Sequence, residues 1–326
     1  MKTDERILQY FAEHEGDYLS GETLAQELDI SRAAVWKAIK KLTAQGHNIT
    51  SQHHVGYLYQ SGQVLSAPMI TQLATSRWEV RLLDVVDSTN AYAKKALTNG
   101  DITEPTIIIA NHQTNGQGRL GRPFLSPADN GLYISFVLPL AVGTSVIPGL
   151  LTTSTAVAVA RAIKRTLAID LDFKWVNDLL FNSRKVGGIL TEGVIDFENQ
   201  QVSAIVVGIG LNLLRPQNMD VSLEQKVGGM VSKLTVSRNT IVAAIQDEFT
   251  QLYGNYTTGT FLPEYRAHNI VIGQNVSVKY GHDVVTGVAK DINEQGQLLL
   301  DTGSDVMIID SGEVLKVNLP DNLYKG

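Results

Sequence analysis

Cysteine is absent from all 326 residues, which excludes disulfides, thiolate zinc sites and a cysteine nucleophile. Long apolar runs are also lacking. The longest, such as 205–214, are far shorter than the roughly 20 residues that a membrane helix needs. The chain starts with Met-Lys-Thr-Asp-Glu-Arg, which has acids where a signal peptide would be apolar. We therefore expect a cytoplasmic protein with no membrane partner.

Two common nucleotide-binding patterns are missing or incomplete. No phosphate-binding loop of the form Gly-x-x-x-x-Gly-Lys-Ser/Thr occurs. Gly116, Gly118 and Gly121 match the glycines of a dinucleotide fingerprint, but Pro123 and Pro127 stand where the following helix should run. No acidic residue lies about twenty positions further on either. We therefore reject a nicotinamide-dependent dehydrogenase.

The acidic balance of the whole chain, a formal net charge of −6, does not indicate a nucleic-acid-binding protein. The charge is uneven, however. Residues 1–29 contain eight acidic and two basic side chains, whereas residues 30–76 contain four basic side chains and no acidic one. This break favours a face built for an anionic partner, and the alternative is an ordinary solvated helix surface.

The first sixty residues have the pattern of a winged helix-turn-helix. Ser20 and Ser31 are suitable N-caps for two short helices. Apolar residues recur at helical spacing in the second helix, namely Val35, Ala38, Ile39 and Leu42. Gly46 is suited to end this helix. Residues 48–51 and 57–60 then predict two short strands of a wing.

In this arrangement the second helix enters the major groove of DNA. The residues that we predict to contact DNA are Ser31, Arg32, Ala33, Trp36, Lys37 and Lys40. The alternative is a three-helix module that binds another protein. His53 and His54 would supply only half of a metal site, so we interpret them as a solvated wing turn.

The rest of the chain changes pattern near residue 270. Before it, predicted strands (80–86, 106–110, 132–138, 189–192 and 202–213) alternate with predicted helices (89–97, 149–167 and 240–253). After it, five short strands separated by glycines predict a small β-barrel: 275–280, 284–292, 297–301, 306–309 and 314–317. With 62–68 as a linker, we predict domains at 1–62, 63–269 and 270–326.

Residues 113–122 read Gln-Thr-Asn-Gly-Gln-Gly-Arg-Leu-Gly-Arg and follow a predicted strand. Glycines allow backbone N–H groups to approach a phosphate, and two arginines neutralise its charge. A flexible loop of this kind can also close over a substrate and exclude water. Taken alone, the segment fits an ordinary surface loop equally well.

Four motifs in order resemble those of one family. They are Asp87-Ser88-Thr89-Asn90; residues 113–122 with Ser126-Pro127; Lys174-Trp175-Val176-Asn177-Asp178-Leu179; and Lys185-Val186-Gly187-Gly188-Ile189-Leu190 followed by Gly208-Ile209-Gly210-Leu211-Asn212. On these residues, and over nearly its whole length, the chain resembles the biotin–protein ligases that also repress the biotin operon. It departs from the family at Gln117, where arginine is common, at Phe124 for tryptophan and at Val176 for proline.

The resemblance implies an α+β multidomain fold: a winged helix-turn-helix, a mixed α/β catalytic domain similar to class II aminoacyl-tRNA synthetases and lipoate ligases, and an SH3-like β-barrel. It implies a biotin–[biotin carboxyl-carrier protein] ligase that uses ATP and Mg²⁺. Such an enzyme forms biotinyl-5′-AMP and transfers biotin to a lysine of the carrier protein. The resemblance also implies a homodimer, formed when biotinyl-adenylate is bound, that binds operator DNA and represses genes of biotin synthesis and uptake.

Residue chemistry agrees with the roles that the resemblance implies. Neutral groups that donate and accept hydrogen bonds suit the buried ureido head of biotin. The predicted biotin-binding residues are Ser88, Thr89, Asn90, Gln113, Gln117, Gly118, Arg119, Lys185 and Gly188. The predicted ATP-binding residues are Arg119, Arg122, Lys174, Asn177 and Asn212. Lys185 and Arg119 are the predicted catalytic residues, because two anions must be held together in the first step. We predict no protein residue as a metal ligand.

Several alternatives stay open at this point. Ser88 also fits a plain helix N-cap, and Asn177-Asp178 fits a turn between two strands equally well. A lipoate–protein ligase would share the fold and the acyl-adenylate chemistry. A ligand-sensing repressor without catalytic activity would keep the binding groups but would not need Lys185.

Overall fold

The computed structural model describes residues 2–196, 201–217 and 219–317. The end of the predicted third domain, 318–326, lies outside the described residues. No described helix is both long and apolar enough to cross a membrane.

The N-terminal unit is a winged helix-turn-helix. Its elements are α1 (Thr3–Glu13), β1 (Tyr18–Leu19), α2 (Gly21–Glu27), α3 (Arg32–Ala44), β2 (Asn48–Gln52) and β3 (Gly56–Gln60). Ser20 and Ser31 are the N-caps, as predicted: they accept from Thr23 N (2.9 Å) and Ala34 N (3.2 Å). Gly46 follows the end of α3 with φ +90°, a left-handed conformation that favours glycine.

The wing is an antiparallel sheet in the order β1-β3-β2. The sequence predicted β2 and β3 but not β1, in which Tyr18 pairs with Leu58 and Leu19 with Tyr57. A strand of two residues is too short to show an alternating pattern. The turn between β2 and β3 contains His53 and His54, both exposed.

The central unit is built on one seven-stranded sheet. Its elements are α4 (Ala67–Leu73), β4 (Glu79–Val86), α5 (Thr89–Thr98), β5 (Thr106–Gln113), β6 (Gly131–Pro139), α6 (Pro148–Leu167), β7 (Asp172–Lys174), β8 (Asp178–Phe181), β9 (Arg184–Asp196), β10 (Gln201–Asn212), α7 (Val221–Glu224), α8 (Arg238–Tyr253) and α9 (Leu262–Ala267). The strand order is β4-β5-β6-β10-β9-β8-β7, and β4 and β5 are the parallel pair among the described strands.

Helices cover both faces of this sheet, which explains the continuous apolar run of β5. Ile107 and Ile109 belong to the core that contains α6 and α8, whereas Ile108 belongs to a separate core under α5. A strand covered on both faces has no solvent side, so its residues need not alternate between apolar and polar.

Two sequence predictions for this unit need correction. The linker predicted at 62–68 is shorter, because Ser66 caps α4 and Pro68 lies in the first turn of that helix. Proline fits there because the first helical N–H groups have no partner within the helix. Neither β7 nor β8 was among the predicted strands, since three and four residues give too weak a pattern, although a turn between two strands at Asn177-Asp178 was one of the open readings.

The C-terminal unit is an antiparallel sheet in the order β14-β13-β12-β11-β15. The strands are β11 (Asn275–Tyr280), β12 (Asp283–Ile292), β13 (Leu298–Asp301), β14 (Val306–Ile309) and β15 (Glu313–Val317), which agrees with the five predicted segments. The buried side chains of this sheet belong to the same apolar cluster as the central unit. A hydrogen bond also joins the two units: Trp175 Nε1, in the central unit, donates to Gly296 O in the C-terminal unit (3.0 Å).

Replacing Ser20 by alanine removes the oxygen that caps α2. We expect the free energy of unfolding to fall by about 1 kcal/mol, as measured by urea denaturation. Ser20→Asp, which can accept the same bond, is the matched control and should retain most of the stability. Equal loss in both variants would contradict a capping role.

Candidate functional site

A cavity of about 280 Å³ lies between the central sheet, the glycine–arginine loop 113–125 and the C-terminal unit. Every residue that the sequence assigned to biotin or ATP lines it: Ser88, Thr89, Asn90, Gln113, Gln117, Gly118, Arg119, Arg122, Lys174, Asn177, Lys185, Gly188 and Asn212. These residues come from four separate motifs. The structure thus brings them to one place, and their individual roles stay predictions.

Strand pairing places the third and fourth motifs side by side. Asp178 on β8 lies opposite Gly188 on β9, and Gly188 lies opposite Gly210 on β10. Asn212, at the end of β10, lies opposite Gly131 at the start of β6. Residues far apart in sequence therefore meet at one end of the neighbouring strands β6, β10, β9 and β8.

The neutral end of the pocket is organised around Gln113. Its Oε1 accepts from Thr89 N (2.9 Å) and Thr89 Oγ1 (3.2 Å), and its Nε2 donates to Ser126 Oγ (2.8 Å). Ser88 caps α5, with Ala91 N donating to Ser88 Oγ (3.5 Å). The N-cap reading of Ser88 is therefore correct, and it is compatible with the predicted contact to a ligand.

Three hydrogen bonds within the protein fix the side chain of Asn90. Its Nδ2 donates to Leu190 O (3.3 Å) and Glu192 Oε2 (2.8 Å), and its Oδ1 accepts from Ser135 Oγ (2.6 Å). A Cβ atom added at Gly208 would lie 2.5 Å from Asn90 Oδ1, so this strand must carry glycine there. Asn90 lines the pocket, but both of its amide protons are already donated within the protein.

The opposite end of the pocket is cationic. Lys185 Nζ lies 2.5 Å from Asp178 Oδ1. Arg119 Nη1 donates to Gly312 O (2.9 Å) and Asn177 Oδ1 (3.4 Å). Together with Lys174, these side chains place three cations near one carboxylate, which suits an anionic ligand.

Burial changes the acidity of two of these cations. Lys174 is only 4 % exposed, and its burial lowers the pKa to about 8 even though Asp178 acts in the opposite direction. Burial also lowers the pKa of Arg119 from its ordinary value, again against the attraction of Asp178. Charges held in such a poorly solvated place interact strongly with a bound anion.

The glycine–arginine loop forms a closed hairpin over the pocket. Gly118 N donates to Arg122 O (2.7 Å) and Phe124 N donates to Gly116 O (2.8 Å). A Cβ atom at Gly116 would lie 2.3 Å from Phe124 O, so only glycine allows this approach. Gly121 has φ +72°, in the left-handed region.

Both arginines of this loop contact the C-terminal unit. Arg122 forms a two-point ion pair with Glu313, in which Nη2 donates to Oε2 (2.6 Å). Arg119 reaches the neighbouring Gly312 O. Contacts of Arg119 and Arg122 with the C-terminal unit therefore hold the loop in place over the pocket.

Asn177 and Asn212 fill two different positions in the pocket. Asn177 lies in the turn between β7 and β8, as one reading of the sequence proposed, and its Nδ2 donates to Ile189 O (2.9 Å). Among the described residues, nothing donates a hydrogen bond to the buried Asn212 Oδ1. A buried acceptor of this kind is costly unless a ligand or water supplies a donor.

Sequence reasoning missed several residues that line the pocket. Glu313 comes from the C-terminal sheet, and Lys226 and Leu223 come from the segment after β10. Phe124 was noted only as a departure from the family, yet its ring packs against Gly210, where an added Cβ would lie 2.6 Å away. The glycine at 210 was a usable signal for this contact, whereas Glu313 gave no local signal.

The predicted DNA-contacting residues lie on one exposed face of α3. Ser31, Arg32, Ala33, Trp36, Lys37 and Lys40 are all exposed. Trp36 is 58 % exposed, and Lys40 Nζ lies 5.1 Å from the centre of its ring. Lys41 instead turns towards α1 and pairs with Asp4. The face is basic and carries one large aromatic side chain, as a groove-binding helix does.

Within residues 2–196, 201–217 and 219–317, no group of three or more metal-ligating side chains is found. The carboxylates that line the pocket are Asp178 and Glu313, and each is paired with a cation. Any divalent ion here would need most of its ligands from substrate and water.

Three family models match this chain. The biotin/lipoate A/B protein ligase family covers residues 82–212, an HTH domain covers 3–58, and a biotin protein ligase C-terminal domain covers 271–317. The matches follow the three units of the structure. They confirm the predicted order of a helix-turn-helix, a ligase domain and an antiparallel C-terminal domain.

Curated relatives match over most of their length. The bifunctional ligase/repressor BirA of Bacillus subtilis is 29 % identical over 94 % of this chain and 97 % of its own. The Escherichia coli protein of that name is 28 % identical over 92 % and 93 %. The biotin–[acetyl-CoA-carboxylase] ligase of Mycobacterium tuberculosis is 30 % identical over 74 % and 91 %.

A solved structure shares the fold. The biotin protein ligase of Aquifex aeolicus in complex with biotin and ATP superposes with a TM-score of 0.59 at 24 % identity, covering 72 % of this chain and 97 % of that one.

Lys174→Met tests how much the burial of the Lys174 charge lowers the free energy of unfolding. Folding lowers the pKa of Lys174 to about 8, below the value of about 10.4 in an unfolded chain, so the folded state disfavours the charged form. This penalty is complete below pH 8 and disappears as the pH rises towards 10. We expect Lys174→Met to raise the free energy of unfolding at pH 7 by roughly 1–3 kcal/mol, and the gain to shrink by pH 9.5.

Urea denaturation at both pH values measures this difference. Lys290→Met is the control, because Lys290 pairs with Asp301 on the outside of the C-terminal sheet. If both variants showed the same pH dependence, burial of the Lys174 charge would not destabilise the folded state.

Proposed function

This chain belongs to the biotin protein ligase family, and from that premise we propose that it is an ATP-dependent biotin–protein ligase and a biotin-responsive repressor. One observation carries the proposal. A single pocket has neutral hydrogen-bonding groups around Gln113 at one end and the cations Arg119, Lys174 and Lys185 at the other. A ligand with a urea-like head and an anionic tail, placed next to a triphosphate, fits this division.

In the first step a carboxylate oxygen of biotin attacks the α-phosphorus of ATP, and pyrophosphate leaves. The substrate supplies the nucleophile, so the protein needs no catalytic serine or cysteine. Its task is to hold two anions together and in line. We assign this task to Arg119 and Lys185. Lys185 would exchange its contact with Asp178 for the phosphate or carboxylate, because all three are anions competing for one ammonium group.

The remaining predicted contacts follow the two ends of the pocket. Biotin would be surrounded by Ser88, Thr89, Gln113, Gln117, Gly118 and Gly188. Asn90 would pack beside it, with its amide group already hydrogen-bonded within the protein. Lys174, Asn177 and Asn212 would contact the nucleotide, and Asn212 Oδ1 offers a buried acceptor to a hydroxyl or amino group. Arg122 would act mainly by holding the loop closed through Glu313.

The product, biotinyl-5′-AMP, is a mixed anhydride that water hydrolyses. The hairpin of the loop, fastened to the C-terminal unit, would exclude water from it. In the second step the uncharged ε-amine of an acceptor lysine attacks the acyl carbon. The amide bond forms as the bond between the acyl carbon and the phosphate oxygen breaks, AMP leaves, and one amine proton passes to solvent. We propose the biotin carboxyl carrier protein as the acceptor.

Mg²⁺ fits this site as part of the ATP complex. Magnesium is commonly held by one or two carboxylates together with substrate phosphates and water. The carboxylates that line the pocket, Asp178 and Glu313, are paired with Lys185 and Arg122, so ATP phosphates and water would supply most of the ligands of the ion. Bound there, the ion would neutralise phosphate charge.

The second activity rests on the exposed basic face of α3. We propose that biotinyl-adenylate favours a homodimer, which binds a palindromic operator of biotin synthesis or uptake genes in the cytoplasm. We also propose domain boundaries at residues 62 and 269, since the linker to α4 and the start of the C-terminal sheet lie there.

Lipoate ligation is the main rival, because the family of the central domain includes lipoate ligases. The helix-turn-helix and the C-terminal domain favour biotin. Isothermal titration with biotin and then ATP, against lipoate as control, separates the two. Tighter binding of lipoate would overturn the proposed substrate.

Lys185→Ala should reduce biotin-dependent exchange between ATP and pyrophosphate by about 10²-fold or more, because it removes a charge that stabilises the transition state. Lys290→Ala is the matched control, since it also removes an ion-paired lysine but outside the pocket. Thermal melting checks that both variants stay folded. Unchanged exchange in Lys185→Ala would exclude its catalytic role.

Lys37→Ala should weaken binding to duplex DNA and lower the dependence of log affinity on log salt concentration by about 1, if Lys37 contacts a phosphate. Fluorescence anisotropy with a duplex of random sequence, in the presence of biotin and ATP, measures both. Lys41→Ala is the control on the same helix, because Lys41 faces Asp4. If both variants keep the parent salt dependence, α3 does not bind DNA in the proposed orientation.

A further inference from the structure

Arg238, the first residue of α8, is the largest fully buried side chain in the described part of the protein, with 1 % of its surface exposed. Its guanidinium donates in two directions. Nε donates to Gln63 O (2.7 Å), in the segment that leaves the wing. Nη1 donates to Asn111 Oδ1 (3.0 Å) and Gly131 O (3.4 Å), and Nη2 donates to Asp129 Oδ1 (2.8 Å).

The neighbours of Arg238 hold the same linker segment. Ser237 Oγ donates to Gly62 O (2.9 Å), and Asn239 Nδ2 donates to Val64 O (2.9 Å). Three consecutive residues at the start of α8 therefore bind three consecutive carbonyl groups, those of residues 62–64. This segment is the covalent connection between the winged helix and the central unit.

The other contacts of Arg238 reach the frame of the pocket. Asn111 lies two residues before Gln113 on β5, and its Oδ1 also accepts from Asp129 N (3.3 Å). Gly131 pairs with Asn212, which lines the pocket. A movement of residues 129–131 would therefore displace Asn111, next to the neutral end of the pocket, and Asn212 in its lining.

Arg238 links the two regions through one rigid group. A guanidinium is planar, and its donors point in fixed directions, so the acceptors on either side must keep their mutual positions. A buried cation also demands that its hydrogen bonds be kept. Its one carboxylate partner, Asp129, is 72 % exposed, and the other three acceptors are neutral oxygens.

We propose that Arg238 is a positioning residue that couples the ligand pocket to the winged helix. Within the described residues it lies outside the pocket lining, so it acts through residues 129–131 and through Gln63. A ligand that favours one position of the pocket frame then favours one position of the linker, and the effect is reciprocal. The proposal rests on the proposed ligase and repressor functions for the two ligands it connects.

Amide hydrogen exchange on the full chain tests the link directly. Lysine at 238 keeps the charge but concentrates its donors on one atom, which cannot span both groups of acceptors. We expect Arg238→Lys to speed exchange about tenfold or more in both segments, 62–66 and 127–131. Faster exchange in 62–66 alone, with 127–131 unchanged, would overturn the proposal.

Asp247→Asn is the matched control. Asp247 ties α8 to the chain further along the helix, where its Oδ1 accepts from Thr75 N (2.9 Å) and Ser76 N (2.8 Å). It makes no contact with residues 127–131 among the described hydrogen bonds. We expect this variant to loosen residues 75–76 and to leave exchange in 127–131 as in the parent chain.

The coupling itself is the factor by which biotin plus ATP increases affinity for duplex DNA. We expect Arg238→Lys to reduce this factor about tenfold and to raise KM for biotin with little change in kcat. A purely structural role would lower the melting temperature and leave the factor and KM as in Asp247→Asn, which would contradict coupling. If the parent chain shows no biotin-dependent activity, the proposed function fails, and the exchange result still decides the role of Arg238.

If Arg238→Lys does not fold, a milder variant allows the same measurement. Asp129→Asn changes an exposed side chain and weakens one contact of the guanidinium. We expect faster exchange in 127–131 and, through Arg238, in 62–66. Loosening of 127–131 alone would show that the two segments move independently and would refute the link.

Discussion

The register of β9 against its neighbours β8 and β10 decides where the chemistry of this protein takes place. It sets Asp178, Gly188 and Gly210 in one row and leaves Lys185 and Asn212 at the same end of these strands. A shift of one residue in either pairing would turn these side chains to the opposite face. Gly210 in this row makes room for the ring of Phe124, which packs where a side chain at 210 would stand.

The pocket concentrates positive charge at a cost in stability that a ligand offsets. Lys174 is buried with a lowered pKa, whereas Lys185 and Arg122 form ion pairs with Asp178 and Glu313. These internal pairs keep the cations ordered in the absence of an anion. Because phosphate and carboxylate compete for the same donors, binding can exchange one set of pairs for another without large movements of the backbone.

The three units of the chain are joined by specific contacts as well as by linkers. The glycine–arginine loop of the central unit is fastened to the C-terminal sheet through Gly312 and Glu313. The segment after the wing is fastened to the start of α8 through the carbonyl groups of residues 62–64. The pocket therefore lies between two boundaries. One is held by hydrogen bonds to the backbone oxygens of residues 62–64, and the other by Gly312 O and the carboxylate of Glu313.

Sequence alone determined the features that depend on near neighbours. The caps Ser20 and Ser31, the longer strands and the five C-terminal strands follow from local spacing and residue type. The pocket residues were named from four ordered motifs that resemble one family, because each motif taken alone was ambiguous. Tertiary structure decided which charges meet. Arg122 pairs with Glu313, 191 positions away, and Arg238 reaches Gln63 in the linker segment and Asp129 before β6. No local pattern encodes such pairs, because a long side chain on a polar surface and one buried in a boundary look the same in sequence. Their partners are chosen only when the sheets and the helices that carry them have packed together.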